Sequence, residues 1–85
     1  MKKYKCPCCG YYTFESKANG TCDICPVCYW EDDLVALKYP EEDVDGSNGV
    51  SLKQAQLNYK EFGACERSCV VYVRKPKKDE LTGFD

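Results

Sequence analysis

Residues 6–10 read CPCCG and residues 25–28 read CPVC, and the spacing of these cysteines decides how the chain folds. Cys6 and Cys9 are separated by two residues, as are Cys25 and Cys28, with 15 residues between the pairs. This C-x2-C-x15-C-x2-C pattern matches a four-cysteine zinc site in both knuckle spacing and intervening length. Two sulfurs on one tetrahedral ion with bonds near 2.3 Å must approach within about 4 Å, and a tight turn brings them there. Proline after the first cysteine presets φ for such a turn. Glycine after the second permits a positive φ where the chain leaves it. Gly10 fills that place in the first knuckle, but Tyr29 stands there in the second, which is expected to exit less comfortably or with a different geometry. Cys6, Cys9, Cys25 and Cys28 are thus the candidate metal ligands. Cys8 takes the variable turn position, as a small residue that fits or, more sharply, as a reactive thiol beside a cation.

Eight cysteines in 85 residues reach the density at which a disulfide scaffold or a metal site becomes the default reading. A chain this short buries little on its own and generally needs such a staple. The opening MKKYKCPCC contains no apolar leader, so a reducing, cytoplasmic setting is expected, where patterned cysteines hold metal. No run approaches the roughly 18 apolar residues of a membrane span. The absence of histidine removes mixed Cys/His sites and the commonest general base, so a soft-metal site must be built from thiolates. Four bound thiolates on a dication add negative charge to the formal −2, which Lys2, Lys3 and Lys5 are placed to offset.

The expected fold class is α+β: a small zinc ribbon, with a β-hairpin and two cysteine knuckles, packed against a C-terminal amphipathic helix. In a single domain over 1–85, residues 1–33 form the ribbon half, 34–50 an acidic loop, 51–75 the helical half and 76–85 a charged, mobile tail. Tyr11–Phe14 reads as a strand, Asn19-Gly20 as a hairpin turn, and Thr21–Ile24 as the returning partner strand. SLKQAQLNYKEFG, residues 51–63, is the clearest helix. Ser51 is its N-cap with Gln54 completing a capping box, Leu52, Ala55, Tyr59 and Phe62 share one face, and Gly63 is the C-cap. Residues 64–75 carry mixed signals, helical in ACERSC and strand-like in VVYVR. DVDGSNG, residues 43–49, resembles a calcium loop, but its glycine comes too early and no glutamate closes it; a solvated acidic turn is preferred.

Three other cysteines leave alternatives open. Cys22 stands three before Cys25 and could pair with it, though the proline between Cys25 and Cys28 favours the latter pair. Cys65 and Cys69 lie four apart and would share a helix face; with Cys8 and Cys22 they could take a second metal, against the simpler reading as small buried residues.

CPCCGYYTF, ICPVCYWEDD, SLKQAQLNYKEFGACE and VRKP, in this order, resemble the bacterial cysteine-rich CPCC family over most of residues 5–80. The resemblance implies a small stand-alone cytoplasmic protein. The family's two cysteine motifs fall on Cys6, Cys8, Cys9, Cys25 and Cys28, and Trp30, Glu31, Asp32 and Asp33 stand at family-like positions. Cys22 and Cys69 lie outside that pattern.

Three functions fit this chemistry. A closed four-thiolate Zn²⁺ site has no open coordination position and is structural, which points to a protein-interaction or adaptor module. Its acidic stretch after Trp30 would suit a basic protein partner, while Tyr29 and Trp30 pack against the site. The knuckles also look like the iron-holding loops of rubredoxins, so Fe and electron transfer are the alternative; four sulfurs accept either metal. The intervening 15 residues are shorter than rubredoxins use, and the long helix is foreign to them. Nucleic-acid binding would rest on RKPKK with Arg67 and Arg74, but the rest of the chain is acidic and repels phosphate. No catalytic residues are expected: Glu31, Asp32 and Asp33 form a solvated run, which rarely acquires shifted pKa values.

Overall fold

The structure, a computed structural model, describes residues 3–42 and 48–82. The calcium-like stretch therefore falls largely outside the described residues. The architecture is α+β: a two-stranded antiparallel hairpin plus helices. Strand β1 is Tyr4–Lys5 and β2 is Tyr12–Phe14, with Tyr4 opposite Phe14, Lys5 opposite Tyr12 and an irregularity in register between them. The hairpin differs from the sequence expectation. The strand after the first knuckle pairs backwards with the two residues before the knuckle, so CPCCG is itself the hairpin loop. Thr21–Ile24 is not its partner; Ile24 instead forms an isolated antiparallel bridge with Glu31 across the second knuckle.

Asn19-Gly20 is a turn of another kind. The buried Asp32 carboxylate gathers it: Oδ2 accepts the amides of Asn19, Gly20 and Thr21 at 3.0, 3.1 and 2.9 Å and the Thr21 hydroxyl at 2.9 Å. One carboxylate oxygen that satisfies three successive amides replaces the ladder bonds a hairpin would have supplied.

Helix α1, Leu34–Lys38, begins where Asp33 Oδ1 accepts the Val35 amide at 3.0 Å. Helix α2, Leu52–Phe62, has both expected caps: Ser51 Oγ accepts the Gln54 amide at 3.1 Å, and Gly63 adopts φ 83° with its amide on the Tyr59 carbonyl. The capping box is half made, because the Gln54 side chain reaches along the helix to Asn58 Oδ1 at 2.8 Å. Leu52 and Ala55 are buried and Tyr59 packs at the margin, edge-on to Tyr11. Residues 67–72 settle as a 3₁₀ helix, with Val71 and Tyr72 exposed. The apolar character of VVYV is thus not spent on a strand.

The charged tail is docked rather than free as far as residue 80. Arg74 makes a bidentate pair with Glu80, both bonds 2.8 Å, and Glu80 Oε1 also accepts the Lys77 amide at 2.7 Å. This holds the short 3₁₀ turn Lys78–Glu80 against β2. The core is Trp30, Phe14, Val27 and the sulfurs of Cys6, Cys25 and Cys28, each 0–1 % exposed. The knuckles are therefore the centre of the molecule. No described helix is long and apolar enough to cross a membrane.

Candidate metal centre

The two knuckles repeat one backbone pattern. In the first, the Cys6 amide donates to Tyr11 O at 2.8 Å and the Gly10 amide to Cys6 O at 2.9 Å. In the second, the Cys25 amide donates to Trp30 O at 2.9 Å and the Tyr29 amide to Cys25 O at 2.7 Å. The fifth residue of each has a positive φ, 83° at Gly10 and 71° at Tyr29. The second exit is thus not differently shaped; it is the same shape held by a tyrosine. Tyr29 is half-buried and stacks on Tyr72, with ring centroids 5.1 Å apart, while Trp30 lies fully in the core.

The C-terminal half holds both turns at equivalent points. Gln56 Nε2 donates to Pro7 O at 2.9 Å and the Arg74 amide to Pro26 O at 3.2 Å. The Cys65 amide adds a bond to Cys28 O at 2.8 Å.

The result is one sulfur cluster. The Sγ atoms of Cys6, Cys9, Cys25 and Cys28 all lie within 4.8 Å of one another. Across the knuckles, Cys6 Sγ is 3.6 Å from Cys28 Sγ, and Cys9 Sγ is 3.7 Å from Cys25 Sγ. Tetrahedral bonds near 2.3 Å place ligand sulfurs about 3.8 Å apart, so this arrangement can hold a metal ion. All eight cysteines are free thiols. Among the described residues these four are the one group of acidic and cysteine side chains so converged. They are the same four that the spacing selects. Cys22 is exposed, its thiol turned to Gly20 O, so it neither pairs with Cys25 nor joins Cys8, Cys65 and Cys69.

Three of the clustered thiols shift one another strongly. Hydrogen bonds from Cys28, then Cys6 and Cys9, hold the Cys25 thiol far below the ordinary thiol range, and Thr13 Oγ1 adds a fourth donor at 3.0 Å. That one thiolate pushes Cys28 and Cys6 up, because each is its donor partner and a second negative charge at this distance is opposed. One thiolate thus opposes ionisation of Cys6 and Cys28, and a bound dication would relieve that opposition. Cys6, Cys25 and Cys28 are fully buried and Cys9 is half-buried. A cleft of about 300 Å³ opens over the first knuckle beside Cys9, with Lys5, Tyr59 and Lys60 along it. Lys5 and Lys60 thus border the cleft over the first knuckle, whereas Lys3 leans to Glu15 at 3.6 Å. Burial, then the Cys9 charge, pushes the Tyr59 phenol up to about 12.

The model of the cysteine-rich CPCC family matches residues 4–80. The chain belongs to this family. No curated protein matches it. The CPCC stretch that gives the family its description is the first knuckle, with Cys6 and Cys9 facing the cluster and Cys8 turned into the core beside Cys65.

Two contributors to the site were missed in the sequence. Thr13 reads in sequence as an ordinary strand residue, although a hydroxyl four residues past a knuckle on a hairpin strand can reach back to the sulfurs. The sequence pattern suggests a solvated Asp32, yet it is fully buried, and the neighbouring Asp33 carboxylate caps α1. Asn48 brackets the Glu31 backbone, donating to its O at 2.9 Å and accepting its N–H at 3.0 Å. Of the described acidic residues after Trp30, the Asp32 and Asp33 carboxylates are thus structural, while Glu41 and Glu42 are exposed.

Proposed function

We propose that this protein binds one zinc ion through Cys6, Cys9, Cys25 and Cys28 in a zinc-ribbon arrangement, and that the metal is structural. The observation that carries this is the convergence of four sulfurs at the centre of the core, three of them with no exposure. Four protein ligands complete a tetrahedron and leave no position for water or substrate, which favours a structural over a catalytic ion. The donor set suits iron as well, and colour separates the two, since ferric tetrathiolate is red and zinc is colourless.

On this reading the module serves a protein partner. Support comes from apolar side chains left outside the small core: Leu34, Val35 and Tyr39 around α1, and Val71 and Tyr72 on the 3₁₀ helix. Such exposure in so small a chain marks contact surface.

The experiment is metal replacement. Reduced, metal-free protein titrated with Co²⁺ should take up one equivalent and give the intense visible and sulfur-to-metal bands of a tetrathiolate, and Zn²⁺ should then displace it. A spectrum of octahedral Co²⁺, or unchanged bands in Cys25→Ser, would overturn the reading. For the partner, a photo-crosslinking residue at position 71 in cells should trap protein, while one at the exposed Glu15 should not. Equal capture at both would remove the surface assignment.

A further inference from the structure

We infer that three clefts joined through shared residues form a binding path for single-stranded nucleic acid. The first, of about 470 Å³, is built on the hairpin, with Lys3, Tyr4, Lys5 and Tyr12 lining it beside Lys17. Lys5 also lines the cleft of about 300 Å³ over the first knuckle, together with Tyr59 and Lys60 of α2. Tyr59 and Lys60 in turn line a third cleft, of about 490 Å³, which Arg74 and Lys75 complete. Six cations and three tyrosines thus stand along the path, and among the described residues no carboxylate lines any part of it.

Net charge does not describe this surface. The chain holds 14 acidic residues against 12 basic ones, yet an anion responds to the charge it meets locally. Only Arg74 and Lys75 come from the basic stretch RKPKK, and Arg67 lies instead over the Phe62 ring, 4.4 Å from its centre. Two of the six cations are partly occupied: Lys3 is 3.6 Å from Glu15, and Arg74 is bonded to Glu80. Lys5, Lys17, Lys60 and Lys75 are exposed and make no ion pair among the described residues. Lys5 and Lys60 share their cleft with the half-buried Cys9, so they also face the sulfur cluster. Lys17 and Lys75 stand in the outer clefts, which no cysteine lines, so neutralising the sulfurs does not account for them.

The tyrosines decide the class of anion. Single strands are held where cations track the phosphates and aromatic faces between them take the bases, and every base has such a face to offer. Tyr4 and Tyr12 share the first cleft with three lysines, and Tyr59 is common to the other two clefts beside Lys60. All three rings are half-buried, anchored by the fold yet partly presented to solvent. An acidic peptide would match the lysines and leave the rings unused. A duplex keeps its bases stacked on one another and has no free face for a cleft.

The test is fluorescence anisotropy of labelled oligo-dT and oligo-U with full-length, metal-loaded protein across a range of salt, the two strands separating DNA from RNA. Four lysines on phosphates predict a slope of log affinity against log salt of about −3 for the strand that binds. Lys17→Ala and Lys75→Ala, both at exposed positions, should each make that slope shallower by about 0.7. Tyr12→Leu should weaken binding by about fivefold or more, and Tyr12→Phe, which keeps the ring, should retain it. Metal content and circular dichroism of each variant separate lost binding from lost fold, and the two lysine variants decide the matter if Tyr12→Leu does not fold. No binding to either strand at low salt, a slope indifferent to both lysine substitutions, or equal binding of a duplex or of polyglutamate would overturn the inference.

Discussion

Tyr29 occupies in the second knuckle the backbone place that Gly10 holds in the first, with φ 71° against 83° and the same amide bond back to the leading cysteine. A side chain in the left-handed region costs about 1–2 kcal/mol, so something must hold Tyr29 there. Its stack on Tyr72 is the visible compensation, worth about 0.5–1.5 kcal/mol.

Gly10→Ala should therefore destabilise the metal-loaded protein by about 1 kcal/mol through backbone strain alone. A Cβ at Gly10 meets nothing closer than Lys5 Cε at 3.9 Å, so sterics do not contribute. Tyr29→Gly should lie within about 1 kcal/mol of wild type, because relief of strain offsets the lost stack. Tyr72→Ala should cost more than Tyr29→Gly. Denaturant titration of the three variants checks the order; Tyr29→Gly as the most damaging would refute it.

Asp32 gives the fold an acid limit. Burial disfavours its charge, but the Thr21, Gly20 and Asn19 amides and the Thr21 hydroxyl outweigh that and set its carboxyl below the usual range. A carboxylate depressed in the folded state contributes stability that is present above its unfolded pKa and is lost as pH falls through the folded one. Asp32→Ala should destabilise by about 1–2 kcal/mol, since it leaves three part-buried amides and a hydroxyl without their shared acceptor. Asp32→Asn should lose less and should flatten the fall in stability below about pH 4, the ordinary carboxylate range. Thermal melts from neutral to acid pH read both effects, on metal-free protein if the fold survives and otherwise at saturating zinc.

Arg74 and Glu80 decide whether the C-terminal segment stays docked. Arg74, then the Lys77 amide, holds the Glu80 carboxyl low against burial, so this contribution too is lost on acidification. The Arg74 side chain is 37 % exposed, so solvent screening limits the loss on Arg74→Ala to about 1 kcal/mol. Hydrogen exchange should show residues 75–82 opening in that variant while the knuckle amides stay protected. Uniform loss of protection would contradict a local docking role.

Thr13 acts on the metal through Cys25. Thr13→Val keeps the shape and removes the donor to the sulfur, and partners of this kind are worth about 10–100-fold in metal affinity. Chelator competition should show weaker zinc binding by about tenfold with an unchanged stoichiometry. An unchanged affinity would show that the hydroxyl only fills space.

The four clustered cysteines and the main helix were legible because their signals are local: two CxxC spacings, a serine cap, a glycine exit. The hairpin was not, because β1 is only Tyr4–Lys5, too short to show alternation. The Asn19-Gly20 turn imitates a hairpin turn in sequence because its organiser, Asp32, lies 12 or more residues downstream and looks like one of three surface acids. The docked tail depends on a long-range packing surface on β2, which no window of RKPKKDEL reveals. Residues 67–72 follow neither propensity: they form a 3₁₀ helix just after the Cys65 amide bonds Cys28 O, and no described strand pairs with them.

The most direct test of the central claim is native intact mass with elemental analysis on wild type, Cys8→Ser and Cys6→Ser. One zinc per chain in wild type and in Cys8→Ser, with none and an unfolded chain in Cys6→Ser, is the predicted result. Iron in wild type, a metal that survives Cys6→Ser, or a metal-free chain with its cysteines paired as disulfides would contradict a structural zinc held by Cys6, Cys9, Cys25 and Cys28.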